Sequence, residues 1–171
     1  MRVNEILLQD FDAEVAATRR LLERIPEDNP EFKPHEKSFE IGKLAMHVAT
    51  LPRFGARILS TPAMDMKDPE QGFPDLTFRS REALMDTFTA AANDCRAALA
   101  SVSDEELAAP WKFSFGDHVI SNRPRGESYR QMFFNHLLHH RGQLTVYLRL
   151  QDIPVPGLYG PSADEPFNPG T

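Results

Sequence analysis

The chain has 171 residues, 41% of them hydrophobic and 26% charged, with a formal net charge of −6 and a pI of about 5.5. This length and composition exclude a disordered polymer and suit one domain over residues 1–171, long enough to bury a core. The acidic balance repels phosphate backbones and argues against a nucleic-acid partner; the basic clusters ATRR at 17–20 and RPR at 123–125 read as solvated surface.

The first helix is predicted from Val3, Ile6, Leu7, Phe11, Val15, Leu21, Leu22 and Ile25, which recur at three- and four-residue steps up to Pro26. Its opening residues, MRVNEILLQDFDAEV, carry acids within the apolar pattern and do not read as a secretory leader. The Pro-rich PEDNPEFKPHEKS is a loop. Ser38 is a reasonable N-cap for a second helix with a stripe of Ile41, Leu44, Val48, Leu51 and Ile58. His47 lies beside that stripe, and Pro52 is expected to kink the helix one turn later. Residues 61–78 form a long connection that can cross the end of a bundle, so the second and third helices need not be antiparallel neighbours.

A third helix follows Ser80, with Leu84, Phe88, Ala91, Cys95 and Leu99 on one face. Cys95 is the lone cysteine, so no intrachain disulfide forms; among alanines it reads as buried and inert. With no apolar run of about eighteen residues, a soluble cytoplasmic protein is expected. Ser103 to Glu106 is a capping box for a short helical turn. The stretch after it alternates Phe113 and Phe115, which suggests an extended piece or hairpin laid over the bundle, with Trp111 beside them. The last helix runs from about Gly126 to Asp152, with Tyr129, Phe133, His136, His140, Leu144 and Tyr147 facing inward. A Pro- and Gly-rich tail closes the chain. Four long helices with one apolar face each imply an all-α four-helix bundle.

The chemistry sits in NHLLHHRGQL, residues 135–144. His136 and His140 are spaced i,i+4, about 40° apart and one turn along a helix, so both imidazoles reach one point. His47, on another helix, can supply a third nitrogen from across the core. Three neutral histidines make an open site for a divalent metal; the competing reading is that they are core histidines satisfied by local hydrogen bonds. His139 sits on the flank of the pair. Gln143 shares the metal face and can orient a ligand, although packing explains it as well. Tyr147, one turn on, lines a pocket or the core. Glu40, two turns before His47, is the available general base for hydrolysis. His35 and His118 read as surface.

FKPHEKSFEIGKLAMHVATLP, NHLLHHRGQLTVYLRLQDIPVP and YGPSADE together resemble the DinB family, within the DinB/YfiT-like superfamily. The resemblance implies a bundle with a long crossover between helices 2 and 3, two helices running parallel, and a metal held by His47, His136 and His140. It implies zinc or nickel as the metal and a homodimer. Related members use a small thiol, as mycothiol-dependent maleylpyruvate isomerase and the bacillithiol transferases do. Three functions are therefore expected: a transferase or isomerase using a low-molecular-weight thiol, a metal-dependent hydrolase of a small amide or ester, or a non-catalytic metal- or ligand-binding stress protein. The three ligands suit all of these alike.

Overall fold

The computed structural model describes residues 2–69, 72 and 74–167. Its long helices are α1 (Val3–Leu22), α2 (Ile41–Ser60) and α3 (Arg81–Ser101), followed by a short α4 (Asp104–Ala108). A final helical rod comprises α5 (Arg125–Ser128), a π-helical turn (Tyr129–Phe134) and α6 (Asn135–Arg149). Three strands, β1 (Ala63–Asp65), β2 (Pro110–Phe115) and β3 (His118–Pro124), form one sheet in that order. The fold is therefore not purely α. The expected hairpin is present as antiparallel β2–β3, and β1, from the 61–78 connection, adds parallel to β2.

Side-chain pairs fix the helix directions. Asn4 Nδ2 donates to the Leu99 carbonyl, and Arg19 donates to Thr89, so α1 and α3 are antiparallel. Gly42 abuts Phe78, just before α3, while Gly55 abuts Cys95 in its second half, so α2 and α3 run parallel. Tyr147 bonds Phe39 and His136 meets His47, which makes α6 antiparallel to α2. The order is up, down, down, up, and the connection after α2 makes the crossover that its length predicts.

The apolar periodicity accounts for the core. Phe11, Leu44, Val48, Phe88, Leu99, Phe133 and Leu144, drawn from all four long helical segments, are at most 1% exposed. Burial of each such side chain contributes about 1.5–3 kcal/mol. Val3 and Ile6 depart from this: at 48% and 46% exposed they lie on the outer side of the first turn. Instead Asn4, in the same turn, is buried against the end of α3.

The cap signals divide. Ser80 accepts from the Ala83 amide, and Ser103 with Glu106 forms the reciprocal capping box. Ser38 caps nothing; its amide closes a turn onto the His35 carbonyl, and α2 begins after Glu40. Helix α2 continues through Pro52, so the expected kink does not interrupt it. Helix α1 ends at Leu22, ahead of Pro26. At Gly55 backbone packs against side chains: a Cβ there would lie 2.6 Å from the Phe133 ring and 2.9 Å from Cys95 Sγ. That contact seats the π-helical turn directly on α2.

Candidate metal centre

Helix α2 carries His47 on the edge of its buried stripe, half-buried between Met46 and Val48. The facing residues are His136 and His140, in the first two turns of α6. The π-helical turn immediately before them sets the rotation of this helix, and such turns recur at functional sites. Phe133 and Phe134 within it are buried. The expected trio thus meets at one point: His47 Nε2 lies 3.3 Å from His136 Nε2, which lies 2.7 Å from His140 Nε2. Ring centroids are 4.6–5.1 Å apart. Among the described residues this is the one group of three His, Cys, Asp or Glu side chains arranged to share an ion.

The outer ring nitrogens are held as well. His136 Nδ1 faces the Met132 carbonyl at 3.3 Å, and His140 Nδ1 faces Gln143 Oε1 at 2.7 Å. A carbonyl oxygen only accepts, so each Nδ1 carries the proton and each Nε2 turns its lone pair inward. All three imidazoles are kept neutral. Burial, and then the neighbouring His140 and His136, push His47 down to about 4. Burial is also the leading cause of the lowered pKa values of His136 and His140.

The donor set fits a divalent cation. For a metal–nitrogen distance of about 2.0–2.1 Å, two nitrogens of a tetrahedron are separated by roughly 3.3 Å. That is the His47–His136 spacing, and the shorter His136–His140 spacing opens by small side-chain rotation. Three imidazoles leave a coordination position free for an exogenous ligand.

The other sequence candidates divide between site and scaffold. Gln143 is exposed and aimed at His140. His139 is exposed, its ring 4.9 Å from that of His140. Tyr147 is buried, donates its hydroxyl to the Phe39 carbonyl at 3.1 Å and stands edge-on to Phe32. Glu40 pairs with Lys33 at 3.4 Å rather than joining the histidines. Cys95 is buried and its thiol is pushed up to about 12 by burial, in keeping with an inert core residue. Trp111 stacks on Phe113 and meets Phe54 edge-on, so these rings pack against α2. His35 and His118 are exposed.

Sequence reasoning missed three contributors. The Met132 carbonyl carries no side-chain signal. Phe39, whose ring is edge-on to His47 at 6.5 Å, lies before the predicted stripe begins. Arg141, next to His140 in the chain, is charged yet only 1% exposed. It pairs with Glu14 at 2.6 Å, donates to Thr18 and meets the Tyr159 hydroxyl, tying α6 to α1 and the tail.

A helical bundle with a three-histidine centre across two of its helices is the class that fold and site define. A family model, the DinB superfamily, matches residues 10–144, and the chain belongs to that family. It is 27% identical over 166 residues to the uncharacterized protein YrdA of Bacillus subtilis, covering 92% of this chain and 89% of that one. Two solved structures share the fold. A DinB-like protein, YjoA, from Bacillus subtilis matches with a TM-score of 0.66 at 21% identity, over 86% of this chain and 95% of that one. A DinB-like protein from Bacillus cereus matches with a TM-score of 0.63 at 21% identity, over 89% and 95%. No helix among the described residues is long and apolar enough to cross a membrane.

Proposed function

We propose that His47, His136 and His140 hold one divalent metal, zinc or nickel, and that the protein is a metal-dependent transferase or isomerase acting with a small thiol. One observation carries the metal. His136 and His140 present Nε2 lone pairs to each other at 2.7 Å while both Nδ1 protons are engaged by carbonyl oxygens. Two lone pairs at that distance repel unless a positive charge lies between them. Burial, with repulsion from neighbouring imidazoles (His139 on His136; His136 and His139 on His140), disfavours a proton there. A metal cation satisfies the arrangement.

When bound, a metal on three neutral imidazoles holds a thiol deprotonated at neutral pH or lowers the pKa of water to about 7. The surroundings favour the thiol. Hydrolysis calls for a general base beside the metal, whereas no carboxylate joins the histidine cluster among the described residues and Glu40 is engaged by Lys33. A thiolate needs no further base. In the overall reaction the thiol gives up its proton and sulfur bonds to an electrophilic carbon. An alkyl halide loses halide with its bonding pair and the proton passes to solvent. An epoxide C–O bond opens to an alkoxide that takes up the proton. A maleyl C=C bond adds the sulfur, rotates as a single bond and expels it again, which restores the thiol. The chain's own residues have supporting roles. Gln143 and the Met132 carbonyl fix the tautomers of two ligands, and Phe39 covers one side of His47.

The test is turnover of epoxides, alkyl halides and maleyl compounds by metal-loaded protein, with and without small thiols. Thiol-dependent conversion that disappears in both His136→Ala and His140→Ala supports the proposal. Metal-dependent ester or amide cleavage that ignores thiol would replace it with the hydrolase reading. A metal-loaded protein that turns over nothing would leave a binding role.

A further inference from the structure

Resting on the metal-centre reading above, we infer that the ligand bound at the histidines carries a carboxylate at its far end, recognised by Lys43, and an apolar body packed on Phe39. Lys43 is one helical turn before His47 on α2, so both side chains rise from the same side of the helix. Its ammonium lies 5.3 Å from the centre of the Phe39 ring, and that ring lies 6.5 Å from the His47 ring. Imidazole, aromatic face and cation thus form a continuous row leading out from the metal centre.

Two features make this row a built surface. Phe39 is 44% exposed, yet its backbone carbonyl is tied down by the Tyr147 hydroxyl at 3.1 Å. Tyr147 belongs to the helix that carries His136 and His140, so Phe39 is held in register with the metal ligands. Lys43 makes no ion pair with a carboxylate of the described residues, although acids are near. It borders an open groove of about 530 Å³ whose lining also includes Glu31, Glu40 and Asp75. Two of these acids have their own cations: Glu40 faces Lys33 at 3.4 Å and Asp75 faces Arg79 at 2.8 Å. The ammonium lies over the Phe39 ring, exposed and in no ion pair with a carboxylate of the described residues, and a carboxylate at the end of a short apolar body complements it.

The carboxylate can belong to the electrophile or to the thiol, and paired probes separate the two. Protein loaded with cobalt(II) as a spectroscopic metal is titrated with benzohydroxamates bearing a para-carboxylate or a para-carboxamide. A second pair is 4-mercaptobenzoate and 4-mercaptobenzamide. The metal's visible absorption reports binding of the hydroxamate or thiolate head. In at least one pair the carboxylate member is expected to bind roughly ten-fold more tightly than its amide. Lys43→Gln removes that preference with cobalt content unchanged, and Phe39→Ala weakens both members. Equal affinities within both pairs, or a preference that survives Lys43→Gln, would overturn the inference. A wild-type protein that retains no cobalt would instead sink the metal-centre reading on which it rests.

Discussion

Gln143 Oε1 stands 2.7 Å from His140 Nδ1, three residues back on the same helix, and so decides which nitrogen of His140 faces His136. An amide oxygen at that place keeps the proton on Nδ1 and the Nε2 lone pair on the metal side. Gln143→Ala frees the ring to rotate and to take the other tautomer. Metal affinity is expected to fall about ten- to one-hundred-fold, read by competition with a chromophoric chelator. Gln143→Glu, which keeps an accepting oxygen, retains the affinity.

The metal-free protein should lose stability as pH falls from about 6.5 to about 4. His47 is held neutral in the folded chain down to about 4, whereas an unfolded histidine takes up a proton near 6.5. Between those values the unfolded chain binds the extra proton, so unfolding becomes easier as acid is added. The lowered His136 and His140 act in the same direction. Urea midpoints measured across this window should drop with pH, and His47→Ala should flatten the slope. A midpoint that rises on acidification would contradict the assignment.

Arg141 and Glu14 form an ion pair at 2.6 Å with side chains 1% and 14% exposed. Arg141→Met leaves the Glu14 carboxylate without its cation, at a cost of about 3–5 kcal/mol. Glu14→Gln in the same chain should recover a large part of that loss. A double-mutant cycle by urea denaturation measures the coupling, and simple additivity would show that the pair is not a unit.

Gly55→Ala places a methyl group 2.6 Å from the Phe133 ring. With Cys95 Sγ behind it at 2.9 Å, the helix and the π-helical turn must separate. A destabilisation of about 1–3 kcal/mol is expected, readable in denaturant. Because Phe133 precedes His136 by three residues, metal affinity should fall with it.

The meeting of the three histidines was legible because helical period alone places His136 over His140, and His47 beside a stripe that must face the core. The crossover was legible from its length, and the hairpin from the alternation of Phe113 and Phe115. Other features left no such trace. Strand β1 is three residues long, too short for a period to show, and it exists only because β2 offers an edge. Ser38 has the chemistry of a cap, but the Ile41 amide bonds to the Phe32 carbonyl and fixes the helix start beyond it. Arg141 follows polar logic in sequence, and only the tertiary meeting with Glu14 makes its burial tolerable. The π-helical turn has no compositional signature; it answers to the packing of Phe133 on Gly55.

The most direct test is the metal content of untagged protein beside a His47→Ala variant, after equilibration with zinc or nickel and removal of the excess. We predict about one divalent ion per chain in the wild type, with the variant folded and depleted of metal. No bound metal in the wild type, or equal metal in both, would contradict the three-histidine centre.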